Sequence, residues 1–213
     1  MKYLFISATG TNIGKTYTTL LLIKAFARAN IRVGVCKPIE TGVEDIALDA
    51  TLLLDSVREV NPLFEQVESI TAYTFPLPSA PFCADTQKSI KIEKILSTID
   101  ELSSRCDILL IEGAGGLLVP ITQNYTMVDL AKELKAPLLL VTPSRLGCIN
   151  DTMLSIEALK SREIEFEWCV NLYEDKESFA KVTKPYYDAI YPKWWSVESG
   201  VDDFVQKYLG GDK

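Results

Sequence analysis

Short apolar runs and amphipathic helical stretches take turns along this 213-residue chain, and that alternation constrains its fold more than any other feature. Tyr3–Ala8 and residues 33–37, 107–111, 137–141 and 166–170 are apolar runs of strand length, continuous as buried parallel strands are. Between them, residues 15–29, the series Ile92, Ile95, Leu96, Ile99 and Leu102, and residues 149–162 follow a helical period. The pattern predicts an α/β fold: a doubly wound, mostly parallel sheet with helices on both faces. Ligands of such sheets sit beyond the carboxyl ends of the strands, so functional residues are expected just after each run. Residues 70–75 are expected as an edge strand and residues 201–208 as a last amphipathic helix. Neither a linker nor an internal repeat divides the sequence, and residues 1–213 are expected to form one domain.

The first run leads into Thr9-Gly-Thr-Asn-Ile-Gly-Lys-Thr16 and then a helix. That is the layout of a phosphate-binding loop, whose backbone N–H groups and helix dipole hold an anion. Lys15 is placed to reach the β- and γ-phosphates and the Thr16 hydroxyl to ligate magnesium. Thr9 stands where the strict motif has its first glycine, and Gly10 lies inside the loop instead.

Composition narrows the chemistry. A net charge of −7 argues against non-specific binding to nucleic acid or to an anionic membrane. Neither a signal-peptide pattern nor an apolar run of membrane-spanning length is present, and a cytoplasmic location is expected. The five cysteines are scattered and never in C-x-x-C spacing, which suggests neither a disulfide framework nor a zinc site. With no histidine, Ser-His triads and histidine bases are excluded; lysines, carboxylates, hydroxyls and backbone must carry any chemistry.

The later loops supply such groups. Lys37 closes the second run and faces the same crevice as Lys15, with Pro38 and Gly42 shaping the loop; a solvated strand-end lysine is the alternative. Asp49 lies at a helix start, where an isolated carboxylate is most often a surface group. Glu112, at the end of the third run and before Gly113-Ala-Gly-Gly116, suits magnesium ligation, and the glycines allow backbone to approach a charged ligand. Residues 144–150 open a helix, giving either a second anion site or an N-terminus capped by Asn150. The loop 76–82 either walls a pocket or fills space. Asn171 either reads a base or caps a strand, and Trp194-Trp195 either stacks on a base or packs internally.

Taken together, Thr11-Asn-Ile-Gly-Lys-Thr16, Lys37-Pro-Ile-Glu-Thr-Gly42, Glu112-Gly-Ala-Gly-Gly116 and Gly147-Cys-Ile-Asn150 resemble the dethiobiotin synthetase family in order and spacing, from Lys2 to about Asn171. The resemblance implies a homodimeric P-loop enzyme that closes the ureido ring of dethiobiotin from 7,8-diaminopelargonic acid, CO2 or bicarbonate, and ATP or another nucleoside triphosphate, with Mg2+. It implies that Lys15 and Lys37 hold phosphate and carbamate oxygens, and that Thr11 and Thr41 hydrogen-bond to phosphate and carbamate. Thr16, Asp49 and Glu112 would bind the metal. Thr11, Asn12, Ile13, Gly14, Lys15, Thr16, Tyr17, Glu112, Gly115 and Asn171 would meet the nucleotide. Lys37, Thr41, Gly115 and Gly116 would meet the substrate, with Leu146, Gly147, Cys148, Ile149 and Asn150 receiving its carboxylate across the dimer interface.

The chain departs from the family pattern at Ala8, Gly10, Asn12, Phe82 and Asp151. The family's adenine-framing loop is not recognisable near Trp194, which implies weak base selectivity. A partition-type regulatory ATPase is the competing reading, but those proteins carry a signature lysine where this chain has Gly10.

Overall fold

A computed structural model describes residues 2–210. Its strands are β1 (Tyr3–Ala8), β2 (Val33–Cys36), β3 (Ile39–Thr41), β4 (Tyr73–Phe75), β5 (Ile108–Gly116), β6 (Pro120–Thr122), β7 (Tyr125–Thr126), β8 (Leu138–Pro143), β9 (Phe166–Asn171) and β10 (Trp195–Ser196). Its helices are α1 (Lys15–Arg28), α2 (Leu48–Arg58), α3 (Val67–Ile70), α4 (Pro81–Ala84), α5 (Ile92–Ser103), α6 (Met127–Glu133), α7 (Cys148–Lys160), α8 (Lys176–Val182), α9 (Lys184–Ile190) and α10 (Val197–Gly210).

Six strands form one sheet in the order β10-β9-β8-β1-β5-β2, and every pairing in it is parallel. From β1 the chain leaves toward β2 on one side, whereas β8 leads to β9 and β10 on the other. This change of direction opens a crevice at the carboxyl end of β1, where a doubly wound sheet takes its ligand. The residues of β1 are buried from Leu4 to Ala8, because helices cover both faces of a parallel sheet. Helix α1 turns Leu22, Ile23, Ala25 and Phe26 into the core and packs beside α2 and α10. Leu20, Leu21, Lys24 and Ala27 lie on its less buried sides.

The five expected strands are present with shifted ends. The second stops at Cys36, leaving Lys37 just past its carboxyl end. The third continues through Glu112 to Gly116, because its glycine stretch keeps pairing with β1, Ala8 opposite Gly116 beyond an irregularity in register. Glu112 is therefore inside a strand, opposite Ile6, and not at a strand end. Residues 70–75 do not form an edge strand of this sheet: Ile70 ends α3, and Tyr73–Phe75 pairs with β3 in a separate two-stranded parallel ribbon. A sixth strand, Trp195–Ser196, has no counterpart among the apolar runs; it is two residues long and pairs with Cys169 and Val170. The last helix begins at Val197, earlier than its apolar period suggested.

Candidate active site

The loop after β1 passes through Asn12 and Gly14, both in the left-handed region with φ of 58° and 101°. Gly14 caps α1, and a Cβ added there would lie 2.0 Å from the Asn171 amide nitrogen, so close approach as well as φ requires glycine. Asn171, at the end of β9, donates from Nδ2 to the Ile13 carbonyl at 2.9 Å and so holds the loop from behind. No side chain caps α1 and its first turn carries no acidic residue, which leaves the positive end of the helix available to an anion.

Four charged groups meet under this loop. The Lys37 ammonium, 2% exposed, donates to Glu112 Oε1 at 2.7 Å and to Asp49 Oδ2 at 2.9 Å. Glu112 is fully buried; it also accepts the Thr16 hydroxyl on Oε1 at 2.9 Å, and the Thr19 hydroxyl stands 2.7 Å from Oε2. Lys15 donates from Nζ to the Gly10 carbonyl at 3.0 Å. Burial, and then the charge of Lys37, lower the Lys15 pKa to about 8. Burial opposes the charge of Lys37 as well, but the Glu112 and Asp49 carboxylates outweigh it and raise its pKa. Asp49 is likewise penalised by burial, yet the charge and hydrogen bond of Lys37 hold its pKa below the usual carboxylate range.

Around this cluster lies a cleft of about 490 Å3, within the range of small-molecule sites. Thr11, Asn12, Gly14, Lys15, Thr16, Lys37, Thr41, Asp49 and Gly115 all line it, as does Glu40, whereas Glu112 is fully buried and bonded to the lining residues Lys37 and Thr16. Pro78–Pro81 lines the opposite side, so loop 76–82 is a pocket wall. The Lys37 ammonium bridges the Asp49 and Glu112 carboxylates, and the Thr16 hydroxyl joins them through Glu112. A hydroxyl and two carboxylates suit a hard divalent ion that keeps waters and phosphate oxygens as its remaining ligands.

Other expected residues lie elsewhere. Ile13 is buried and Tyr17 exposed on α1. Gly116 lines a neighbouring recess, not the cleft. None of Leu146, Gly147, Cys148, Ile149 or Asn150 lines the cleft of this chain. Leu146 is exposed and the Cys148 side chain is buried against Tyr187 and Thr183. Gly147, φ 91°, is the N-cap of α7, and no side chain caps that helix. Asn150 sits inside its first turn, so the capping alternative does not hold. The tryptophans pack internally: Trp194 meets Phe179 edge-on and Trp195 stacks on Phe204.

Two contacts were not legible beforehand. Thr19 reaches Glu112 across 93 positions, and its only local sign is a hydroxyl one turn after Lys15. Glu40 accepts the backbone N–H groups of Asp49 and Ala50, each at 2.9 Å, although it stands within the singled-out stretch 37–42.

A family described as an AAA domain matches residues 2–173. The chain is 62% identical to the ATP-dependent dethiobiotin synthetase BioD of Sulfurovum sp. over 97% of its own length and 99% of the relative's. It is 36% identical to the protein of that name from Wolinella succinogenes, over 98% and 99% of the two lengths. Among solved structures, a putative plasmid partition protein of Borrelia burgdorferi bound to AMPPNP superposes with a TM-score of 0.59 at 10% identity, covering 98% of each chain. That likeness concerns the fold alone, whereas full-length identity of 62% fixes the family: the chain belongs to the ATP-dependent dethiobiotin synthetases.

Proposed function

We propose that this chain closes the ureido ring of dethiobiotin from 7,8-diaminopelargonic acid, CO2 and ATP. One substrate amine takes up CO2 as a carbamate; a carbamate oxygen attacks the γ-phosphate and ADP leaves, giving a carbamic-phosphoric anhydride, and the second amine then attacks the carbamate carbon and expels phosphate to close the ring. The observation that carries this reading is the pair of buried lysines at the phosphate loop, Lys37 being balanced by Asp49 and Glu112 in a chain without histidine. A carbamate is already an anionic nucleophile, so the reaction needs placement and cations more than a base.

In this mechanism Lys15 and the N–H groups of residues 12–16 hold the phosphates, with Thr11 hydrogen-bonding beside them. Lys37 and Thr41 hold the carbamate. Thr16, Asp49 and Glu112 would hold Mg2+, which neutralises charge on the phosphates when bound. Lys37 bonds to two of those groups, Glu112 and Asp49, and in this mechanism leaves them to meet the carbamate. Asn171, Gly115 and the loop backbone complete the nucleotide side, with Ile13 and Tyr17 contributing main chain only. Gly115 and Gly116 border the substrate.

The proposal includes a homodimer in which the uncapped N-terminus of α7, Leu146 to Asn150, takes the substrate carboxylate of the partner site. It is supported by an apolar recess of about 420 Å3 beside Gly10 and Thr11, lined by Leu118 and Leu154, both exposed. The chain is read as one domain over 1–213, supported by a single core cluster; residues 1 and 211–213 lie outside the described residues. Action in the cytoplasm is supported by five free cysteines. Among the described residues no helix is long and apolar enough to cross a membrane.

The test is phosphate release from Mg–ATP with bicarbonate, with and without the diamine, and product identification by mass. Diamine-dependent release with the cyclic urea supports the proposal. Diamine-independent release, as a partition-type ATPase would give, overturns it.

A further inference from the structure

The first N–H groups of a helix lack intrahelical partners and usually find a side-chain acceptor at the N-cap. Helix α2 has Ala47 at that position, which offers none. Its donors are taken instead by a residue from another element. Glu40 on β3 is buried and accepts the Asp49 N–H on Oε1 and the Ala50 N–H on Oε2, one bond per carboxylate oxygen. A carboxylate at a helix N-terminus gains from the dipole, and charge-assisted bonds of this kind are the stronger ones.

The clamp falls on the backbone of Asp49, three residues before which the chain is still in the loop from Gly42. The Asp49 side chain is 41% exposed, so packing does not pin it. Apart from the Thr16 hydroxyl, its fixed side-chain partner is the Lys37 ammonium. The same short strand follows directly on Lys37 and Pro38, so Glu40 sets the distance between the catalytic lysine and Asp49.

We infer that Glu40 is a positioning residue: its two-pronged hold on the start of α2 fixes Asp49 for the divalent cation, independently of Lys37. This rests on Asp49 being a metal ligand, as proposed above. When Lys37 turns toward the carbamate, the backbone clamp remains to hold Asp49 in place. Glutamine at position 40 keeps one acceptor and turns an NH2 toward the second backbone N–H, so one prong is lost without emptying the site.

The experiment is Mn2+ binding to the full-length protein–ADP complex, followed by electron paramagnetic resonance, for wild type, Glu40→Gln, Asp49→Asn and the double variant. Residues that orient a metal ligand from behind are worth about ten- to a hundredfold in affinity, so Glu40→Gln should weaken Mn2+ about tenfold. ADP affinity in EDTA should stay within about twofold, and in the Asp49→Asn background the added effect of Glu40→Gln should fall below about twofold, because coupled residues are non-additive. Equal effects in both backgrounds, or unchanged Mn2+ affinity in folded Glu40→Gln, overturn the inference. A loss of metal-free ADP binding matching the loss of Mn2+ affinity also overturns it, as a general structural role. If Asp49→Asn itself leaves Mn2+ affinity unchanged, the metal-ligand reading of Asp49 fails, and with it the premise.

Discussion

Replacing Lys37 by methionine removes the ammonium that balances Glu112 and leaves a side chain of similar reach. Glu112 is fully buried, so the variant strands a carboxylate whose remaining partners are the Thr16 and Thr19 hydroxyls. Breaking a buried ion pair from one side costs about 3–5 kcal/mol. Two hydroxyl donors survive and methionine fills the stem's volume, so the low end, about 3 kcal/mol, is expected. The Asp49 half of the pair adds little, since that carboxylate is 41% exposed and water replaces its partner. For a chain of this size such a loss lowers Tm by about 6–12 °C. Urea unfolding of the nucleotide-free, metal-free protein reads the difference directly, with equal slopes as the check on a like comparison. Millimolar Mg2+ should then recover stability in the variant and change wild type less, because only the variant has oxygen donors lacking a cation. A loss below about 1 kcal/mol, or equal Mg2+ effects on both proteins, would refute the view that this ammonium is the charge balance of the site.

Turnover by Lys37→Met should collapse while ADP affinity stays close to wild type, whereas Lys15→Ala should lose turnover through the phosphates; near-normal activity in either rejects its role. Lys15 also has a pH signature: its folded pKa of about 8 lies below the ordinary 10.5, so the folded protein gives up the proton first and its stability rises across that window. Relative to Lys15→Met, wild-type stability should therefore increase by up to about 3 kcal/mol between pH 8 and 10.5, read by urea midpoints; a flat or falling difference contradicts the burial of that charge. Gly14→Ala forces a Cβ against Asn171 at a left-handed φ, and should weaken ADP binding about tenfold or more in calorimetry, with unchanged affinity refuting the tight fit. Because Trp194 and Trp195 are committed to internal packing, ATP, GTP and CTP should be turned over with comparable kcat/KM, and strict dependence on ATP would sink that expectation.

Much of the site is local in origin. A strand, a turn with left-handed residues and a helix are each encoded within a few positions, so the phosphate loop and Lys15 and Thr16 were visible from residues 3 to 29 alone. Lys37, Glu112 and the glycines behind it follow from one further rule, that a doubly wound sheet collects function after its strands, whereas Asp49, at a helix start, was singled out only by the family resemblance. The same rule misjudged Glu112, because glycines ordinarily read as a strand's end here go on pairing with β1. Residues 70–75 were misplaced for a different reason: their β-branched and aromatic character fits a strand, but the partner of Tyr73–Phe75 is the short β3 and not the edge of the main sheet.

The sequence by itself determined the alternation of elements, the loop chemistry, the absence of histidine and hence a site built on lysines and carboxylates. Only the tertiary structure decided which of these groups touch. The Lys37–Glu112 pair spans 75 positions and the Thr19–Glu112 contact 93, and their meeting depends on β5 lying between β1 and β2 in the sheet. Periodicity carries information about which face of an element is buried and none about which strand lies beside it. That choice is made by the packing of the whole core, and it alone brought Glu40 to the start of α2 and turned the paired tryptophans inward.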